Sequence, residues 1–257
     1  MLGQNAVQLT VEGRVARVVL NRPPLHVLDL PTLEEYSSTL AQLDRERGVV
    51  VCVLEATGDK AFSTGVDVKD LGAQSVGAVL ERFDGVIRKI RRLDCVTVAA
   101  VRGMALGGGF ELALACDMIV AEEGATFGVP EIWLGRFPAV AAAVLPRHIT
   151  PQKAYEIVLS GEPITAIEAQ QMGLVNALAA RGKMEETVDR FASLFTEKSG
   201  AALRVAKRAL RLSEETAFGE TLEEMERLYL EDLMKTEDAA EGIRAFMEKR
   251  EPRWKDR

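Results

Sequence analysis

The sequence predicts an α/β core over residues 1–195 followed by a helical region over residues 196–257. Three observations carry that expectation. Short β-branched runs alternate with helix-period text through the first two thirds, the pattern of strands joined by helical crossovers and therefore of parallel pairing. From about Thr150 the strand signal nearly vanishes, and beyond Lys183 the text is rich in Glu, Lys, Arg, Leu and Ala. A chain of 257 residues, 47% of them hydrophobic, also has ample apolar surface for one large core.

Taken in order, "AVQLTV" and "VARVVL" flank "EGR" and predict a hairpin. "DLPTLEEYSSTLAQLDRERG", residues 29–48, predicts a helix: Asp29 or Leu30 precedes Pro31 in the first turn, apolar residues recur at helical spacing, and Gly48 closes it. "VVVCVLEA" (49–56) and "VTVAAV" (96–101) predict buried strands, "MIVAEE" a third and "LVNALAA" a short fourth. Thr150 before Pro151, and Thr165 with Gly173 at the far end, mark two further helices.

The composition narrows the function. With 32 basic and 39 acidic residues the net charge is −7, so no global field draws a nucleic acid or an anionic membrane. No window approaches the ~18 apolar residues of a membrane span, and the N-terminal text is not that of a secretion signal. A cytoplasmic protein is expected. Cys52, Cys95 and Cys116 lie in or beside apolar runs and are expected to be buried free thiols, not disulfides or metal ligands. The P-loop, H-E-x-x-H, G-x-S-x-G and C-x-x-C patterns are absent, and only His26 and His148 are present. Chemistry must therefore run on carboxylates and backbone groups, or not at all, and no metal is expected. "RKIRRL" (88–93) and "KRALRL" (207–212) are expected to be solvated helix faces.

Residues 103–117, "GMALGGGFELALACD", pose the functional question, because three glycines precede a helical run that carries one acid, Glu111. A helix starting at about Gly107 or Gly108 presents free N–H groups and a positive dipole end, and the missing Cβ admits another molecule; glycines packing a helix closely on a strand is the other reading. A second glycine-bearing turn, residues 57–71, follows the strand 49–56. If that strand and 96–101 are parallel neighbours, both loops emerge at one sheet edge and their N–H donors converge on one oxygen. Asp67 and Asp70 there read as helix-start carboxylates. A third stretch places Glu131 between Pro130 and Ile132 in nearly uncharged text. Adding water to a double bond conjugated to a thioester needs a base, an acid and donors for the enolate oxygen, which two partly buried glutamates and such a hole supply.

"AFSTGVDVKDL", "RGMALGGGFELALACDMIVA", "FGVPEIWLG", "LSGEPITAIEAQQMGLVN" and "AFMEKREPRWKD" together resemble the enoyl-CoA hydratase (crotonase) superfamily. That resemblance implies a core of repeated ββα units wound as a spiral, with a helical C-terminal trimerisation region. It implies oxyanion donors at Val66 and Gly108, water activation by Glu111 and α-carbon protonation by Glu131. Coenzyme A, as part of the substrate and not as a resident cofactor, is expected along Pro24, Leu25, His26 and Val27, along Thr64, Val66, Asp67, Val68 and Lys69, and at Gly107 and Gly108. Lys249 is expected to reach a neighbouring subunit's ligand in a homotrimer or dimer of trimers.

The departures point to a subgroup. "RFPAVAAAVLPRHI" replaces the usual text after P-E-I-x-L-G, and His26, which reads either as a pocket residue near the acyl-CoA or as a turn residue after two prolines, stands where asparagine is common. These stretches and "RPPLHVLDL" are similar to hydratases of cyclohexa-1,5-diene-1-carbonyl-CoA. Ala139, Ala141, Ala142 and Ala143 either leave room beside Glu131 or pack a helix; Trp133 and Phe137 are pocket wall or core. Isomerisation and decarboxylation through the same enolate, and an RNA-binding or structural role, are the other readings.

Overall fold

The computed structural model describes residues 5–71, 76–213, 231–232 and 235–257. β1 (Val7–Glu12) and β2 (Val15–Leu20) form the expected hairpin, with Val7 opposite Leu20 and Glu12 opposite Val15. α1 spans Leu30–Leu43; Asp29 is its cap, accepting the Thr32 N–H (3.0 Å) and hydroxyl (2.6 Å). Leu33, Tyr36, Leu40 and Leu43 form its buried stripe. The helix stops at Leu43, short of Gly48, because residues 44–48 are all exposed and offer nothing to bury.

Three successive units then repeat one plan. β3 (Val51–Ala56), β4 (Ala61–Ser63) and α2 (Val76–Arg92) form the first, and β5 (Val96–Val101), β6 (Met104–Leu106) and α3 (Gly108–Ala115) the second. β7 (Met118–Glu122), β8 (Thr126–Gly128) and α4 (Ala139–His148) form the third, with a 3-10 turn at Pro130–Leu134 before the helix. Each unit contributes one strand to a six-stranded sheet, ordered β1-β2-β3-β5-β7-β10, and one to a four-stranded sheet, ordered β4-β6-β8-β9. This is the spiral of ββα units that the sequence resemblance implies. α5 (Pro151–Ser160), β9 (Ile164–Thr165), α6 (Ala166–Gln171), β10 (Ala177–Ala179) and α7 (Met184–Thr196) complete the core. Thr165 and Glu168 form a reciprocal capping box at α6. The strands of the smaller sheet have two or three residues each, too few to carry a period, and sequence reasoning missed that sheet.

β2, β3, β5, β7 and β10 are parallel. Both faces of the middle strands are covered: α7 packs Met184, Val188 and Ala192 onto Val51, Val53, Val98 and Val120, while the main core lies on the other face. Burial on two sides explains the unbroken apolar text of β3 and β5. Cys52 and Cys95 are buried free thiols as expected, and Cys116 is half-buried.

α8 (Gly200–Ser213) and α9 (Glu237–Glu248) form the helical region. It is stapled to the core: Lys207 Nζ donates to the Cys95 carbonyl (2.7 Å) and pairs with Asp117 (2.7 Å), and Arg211 takes the other Asp117 oxygen (2.5 Å). "KRALRL" is thus not wholly solvated, because Lys207 is buried. Asp256 holds both Arg14 (2.7 Å) and the Gly200 N–H (2.7 Å).

Candidate active site

The loops after β3 and β5 meet at the C-terminal edge of the sheet, since the two strands are parallel neighbours. α3 begins at Gly108, so its first N–H has no intrahelical acceptor. In the other loop Leu28 N–H donates to the Gly65 carbonyl (2.9 Å) and Asp67 N–H to the Leu28 carbonyl (3.2 Å). That parallel bridge turns the intervening Val66 N–H to the opposite side. A Cβ on Gly65 would lie 2.7 Å from the Gly108 nitrogen, so the two segments touch. α3 itself seats directly on β4: a Cβ on Gly109 would lie 2.1 Å from the Ser63 carbonyl oxygen.

Val66, Gly107 and Gly108 line a cavity of about 370 Å³ together with Glu111 and Glu131. Its walls are apolar, chiefly Val68, Val79, Leu80, Phe83, Leu134 and Phe137. Glu111 is 5% exposed, and its Oε1 accepts the Val140 and Ala141 N–H groups, each at 2.9 Å. α4 has Pro138 as its cap residue with no side-chain bond, and Glu111 supplies the missing acceptor. Burial pushes the Glu111 carboxyl up to about 7; the two N–H bonds oppose this, and the charges of Glu131 and Asp84 add to it. Glu131 is also raised, by burial, and its Oε2 is buried without a partner among the described residues. The left-handed Gly107 (φ +53°) makes room for it, since a Cβ there would sit 2.7 Å from Glu131 Oε1. Two acids whose pKa values are both raised, beside two N–H donors with no acceptor among the described residues, can pass protons and hold a developing negative charge.

The other expected residues divide. Thr64 and Val68 line the cavity; Pro24, Leu25, Val27, Asp67, Lys69 and Lys249 do not. Asp67 Oδ1 accepts the Lys69 N–H (3.0 Å), the expected helix-start role, here at the 3-10 turn Val68–Leu71. The His26 side chain corrects its assignment as a ligand contact. It is 1% exposed, its Nδ1 accepts the Arg22 N–H (3.1 Å), its Nε2 meets the Thr57 carbonyl (2.8 Å), and its backbone is left-handed (φ 50°). It is a turn residue whose ring is spent on the backbone. Of the four alanines only Ala139 lines the cavity, and Ala141 is packed at 0% exposure. Trp133 is neither wall nor core: it is 60% exposed and donates to the Ser160 carbonyl (2.8 Å). Phe137 lines the cavity.

Sequence reasoning missed the α2 wall. Val76, Val79, Leu80, Phe83 and Asp84 face the cavity, and the 76-79-80-83 spacing of the first four was a readable helical signal. No letter announced the Val140 and Ala141 N–H donors.

Residues 10–257 match the family model described as enoyl-CoA hydratase/isomerase. A Bacillus subtilis (strain 168) protein named "Probable enoyl-CoA hydratase" is 36% identical over 98% of this chain and 99% of its own length. The Escherichia coli (strain K12) 2,3-dehydroadipyl-CoA hydratase is 36% identical over 96% of this chain and 97% of its own. A crystal structure of enoyl-CoA hydratase from Bacillus anthracis superposes with a TM-score of 0.94 at 32% identity, covering 99% of this chain and 100% of that one.

Proposed function

Because the chain belongs to the enoyl-CoA hydratase/isomerase family, we propose that it is a hydro-lyase adding water to a double bond conjugated to a coenzyme A thioester. One observation carries the reading: a buried glutamate, Glu111, and a half-buried one, Glu131, share an apolar cavity with two backbone N–H groups that have no acceptor among the described residues. In this reading the thioester oxygen lies between the Val66 and Gly108 N–H groups, which take up the enolate charge. Glu111, fixed by its Oε1, uses Oε2 to take a proton from water, and Glu131 delivers one to the α-carbon. A base with a pKa of about 7 is matched to that transfer at neutral pH.

The finer reading is that the acyl group is cyclohexa-1,5-diene-1-carbonyl. The text around Pro24 and after Glu131 supports it, as does a cavity bounded by Phe137 and Ala139. Coenzyme A runs along Pro24, Leu25 and Val27 and along Thr64, Val66, Asp67, Val68 and Lys69, Lys249 serves a neighbouring subunit, and the protein works as a cytoplasmic trimer or dimer of trimers. Sedimentation checks the assembly.

The test is a side-by-side ultraviolet assay with crotonyl-CoA and cyclohexa-1,5-diene-1-carbonyl-CoA in heavy-oxygen water. Label retained in the product marks hydration, and its absence marks isomerisation or decarboxylation. Turnover of the diene alone supports the cyclic reading, and turnover of crotonyl-CoA alone removes it. Glu111→Gln and Glu131→Gln are each expected to lower kcat by on the order of 10²–10⁴; normal turnover in both ends the proposal.

A further inference from the structure

The cavity holds a third acid, to which neither the sequence motifs nor the family resemblance assigns a role. Asp84 is the one charged residue that α2 presents there, one position after Phe83, and its side chain is 35% exposed. Its counter-charge is Arg88, one turn further along the helix, 3.6 Å away and 65% exposed. A pair so open to water is weak and neutralises Asp84 only in part. We propose that Asp84 is a positioning residue of this site, a third carboxylate that acts on the chemistry through Glu111. The proposal rests on the hydratase reading above.

Among the described residues the charged surroundings of Glu111 are few enough to assign. α2 brings Asp84 with Arg88 behind it, the 3-10 turn brings Glu131, and the loop after it brings Arg136. α4 brings the Val140 and Ala141 N–H groups, and α3 contributes no other charge. The N–H donors favour the Glu111 carboxylate and would make it a feeble base. Asp84 opposes them across a cavity walled by Val79, Leu80 and Phe83, whose apolar side chains screen the interaction less than bulk water does. An acyl group filling the space would expel more of that water. Removing the Asp84 charge therefore frees Glu111 to ionise at lower pH and lowers its strength as a base.

The experiment is the pH profile of kcat/KM for whichever substrate turns over, on wild type, Asp84→Asn, Asp84→Glu and Arg88→Gln. Asp84→Asn is expected to move the acid limb to lower pH by about half a unit. Arg88→Gln, which unmasks Asp84, moves it upward by less, and Asp84→Glu keeps the wild-type limb. An Asp84→Asn limb that coincides with wild type overturns the proposal. So does a loss of activity that is uniform across pH, which is the signature of a merely structural wall residue. Failure of the hydratase reading shows elsewhere, as normal turnover in both Glu111→Gln and Glu131→Gln.

Discussion

Glu111 sits where the fold disfavours its charge, and that has a cost in stability as well as a use. Its pKa of about 7 in the fold lies above the ordinary 4.5, so between those values the native state holds a proton that the unfolded chain has released. Stability then falls as pH rises through that window. Glu111→Gln keeps an acceptor for the Val140 and Ala141 N–H groups without the charge. It is expected to exceed wild type by about 3 kcal/mol at pH 8.5, with the gap closing toward pH 4.5; urea melts at the two pH values check this. That Glu111 and Glu131 were suspect was legible, because an acid among apolar letters needs a reason. How Glu111 is held was not, because its partners are backbone groups 29 and 30 positions away. Which of its two readings His26 takes was hidden for a similar reason: its ring is satisfied by the Arg22 N–H and the Thr57 carbonyl, which only the folded turn brings to it.

At the scale of elements, two contacts decide whether the site is assembled. α3 lies against β4 at Gly109, where a methyl would meet the Ser63 carbonyl oxygen at 2.1 Å. Gly109→Ala must push the helix off the strand, at a cost of about 3 kcal/mol. The same shift moves the Gly108 N–H, so turnover falls with stability, and urea melts beside the assay register both. On the opposite side Asp117 ties α8 to the start of β5, accepting from Thr97, Lys207 and Arg211. Burial alone would raise the Asp117 carboxyl, but the two cations overcome it and hold it below the usual value. Its contribution is therefore present above the ordinary carboxylate range and lost as pH falls through the depressed value. Asp117→Asn leaves buried Lys207 without its anion and is expected to lose about 3 kcal/mol in a urea melt at neutral pH. Helix caps such as Asp29 and Thr165 were legible because they act within three residues. The Gly109 contact was open to two readings in the sequence, packing or ligand access. The triplet serves both: Gly109 packs, while Gly107 and Gly108 face the cavity.

Over the whole molecule the parallel sheet brings the loops after β3 and β5 to one edge, and the helical region is tied back across the chain. The C-terminal segment carries much of that tie. Asp256 binds Arg14 and the Gly200 N–H, Trp254 donates to the Glu197 carbonyl (2.9 Å), and Asp238 accepts the Lys255 and Asp256 N–H groups. Deleting residues 251–257 is expected to lower Tm by roughly 5–10 °C, read by calorimetry. No helix among the described residues is long and apolar enough to cross a membrane.

The sequence by itself determined the α/β alternation, the parallel core strands, the start of α3 and the two suspect glutamates. Each of these is written in neighbouring letters: burial on two faces gives unbroken apolar runs, and a cap or a glycine acts within a turn. Only the tertiary structure decided that the smaller sheet exists, that α2 walls the cavity, that Asp84 lines the same cavity as Glu111 and that His26 is occupied. These depend on groups brought together from distant positions, many of them backbone atoms that every residue carries alike and no letter distinguishes.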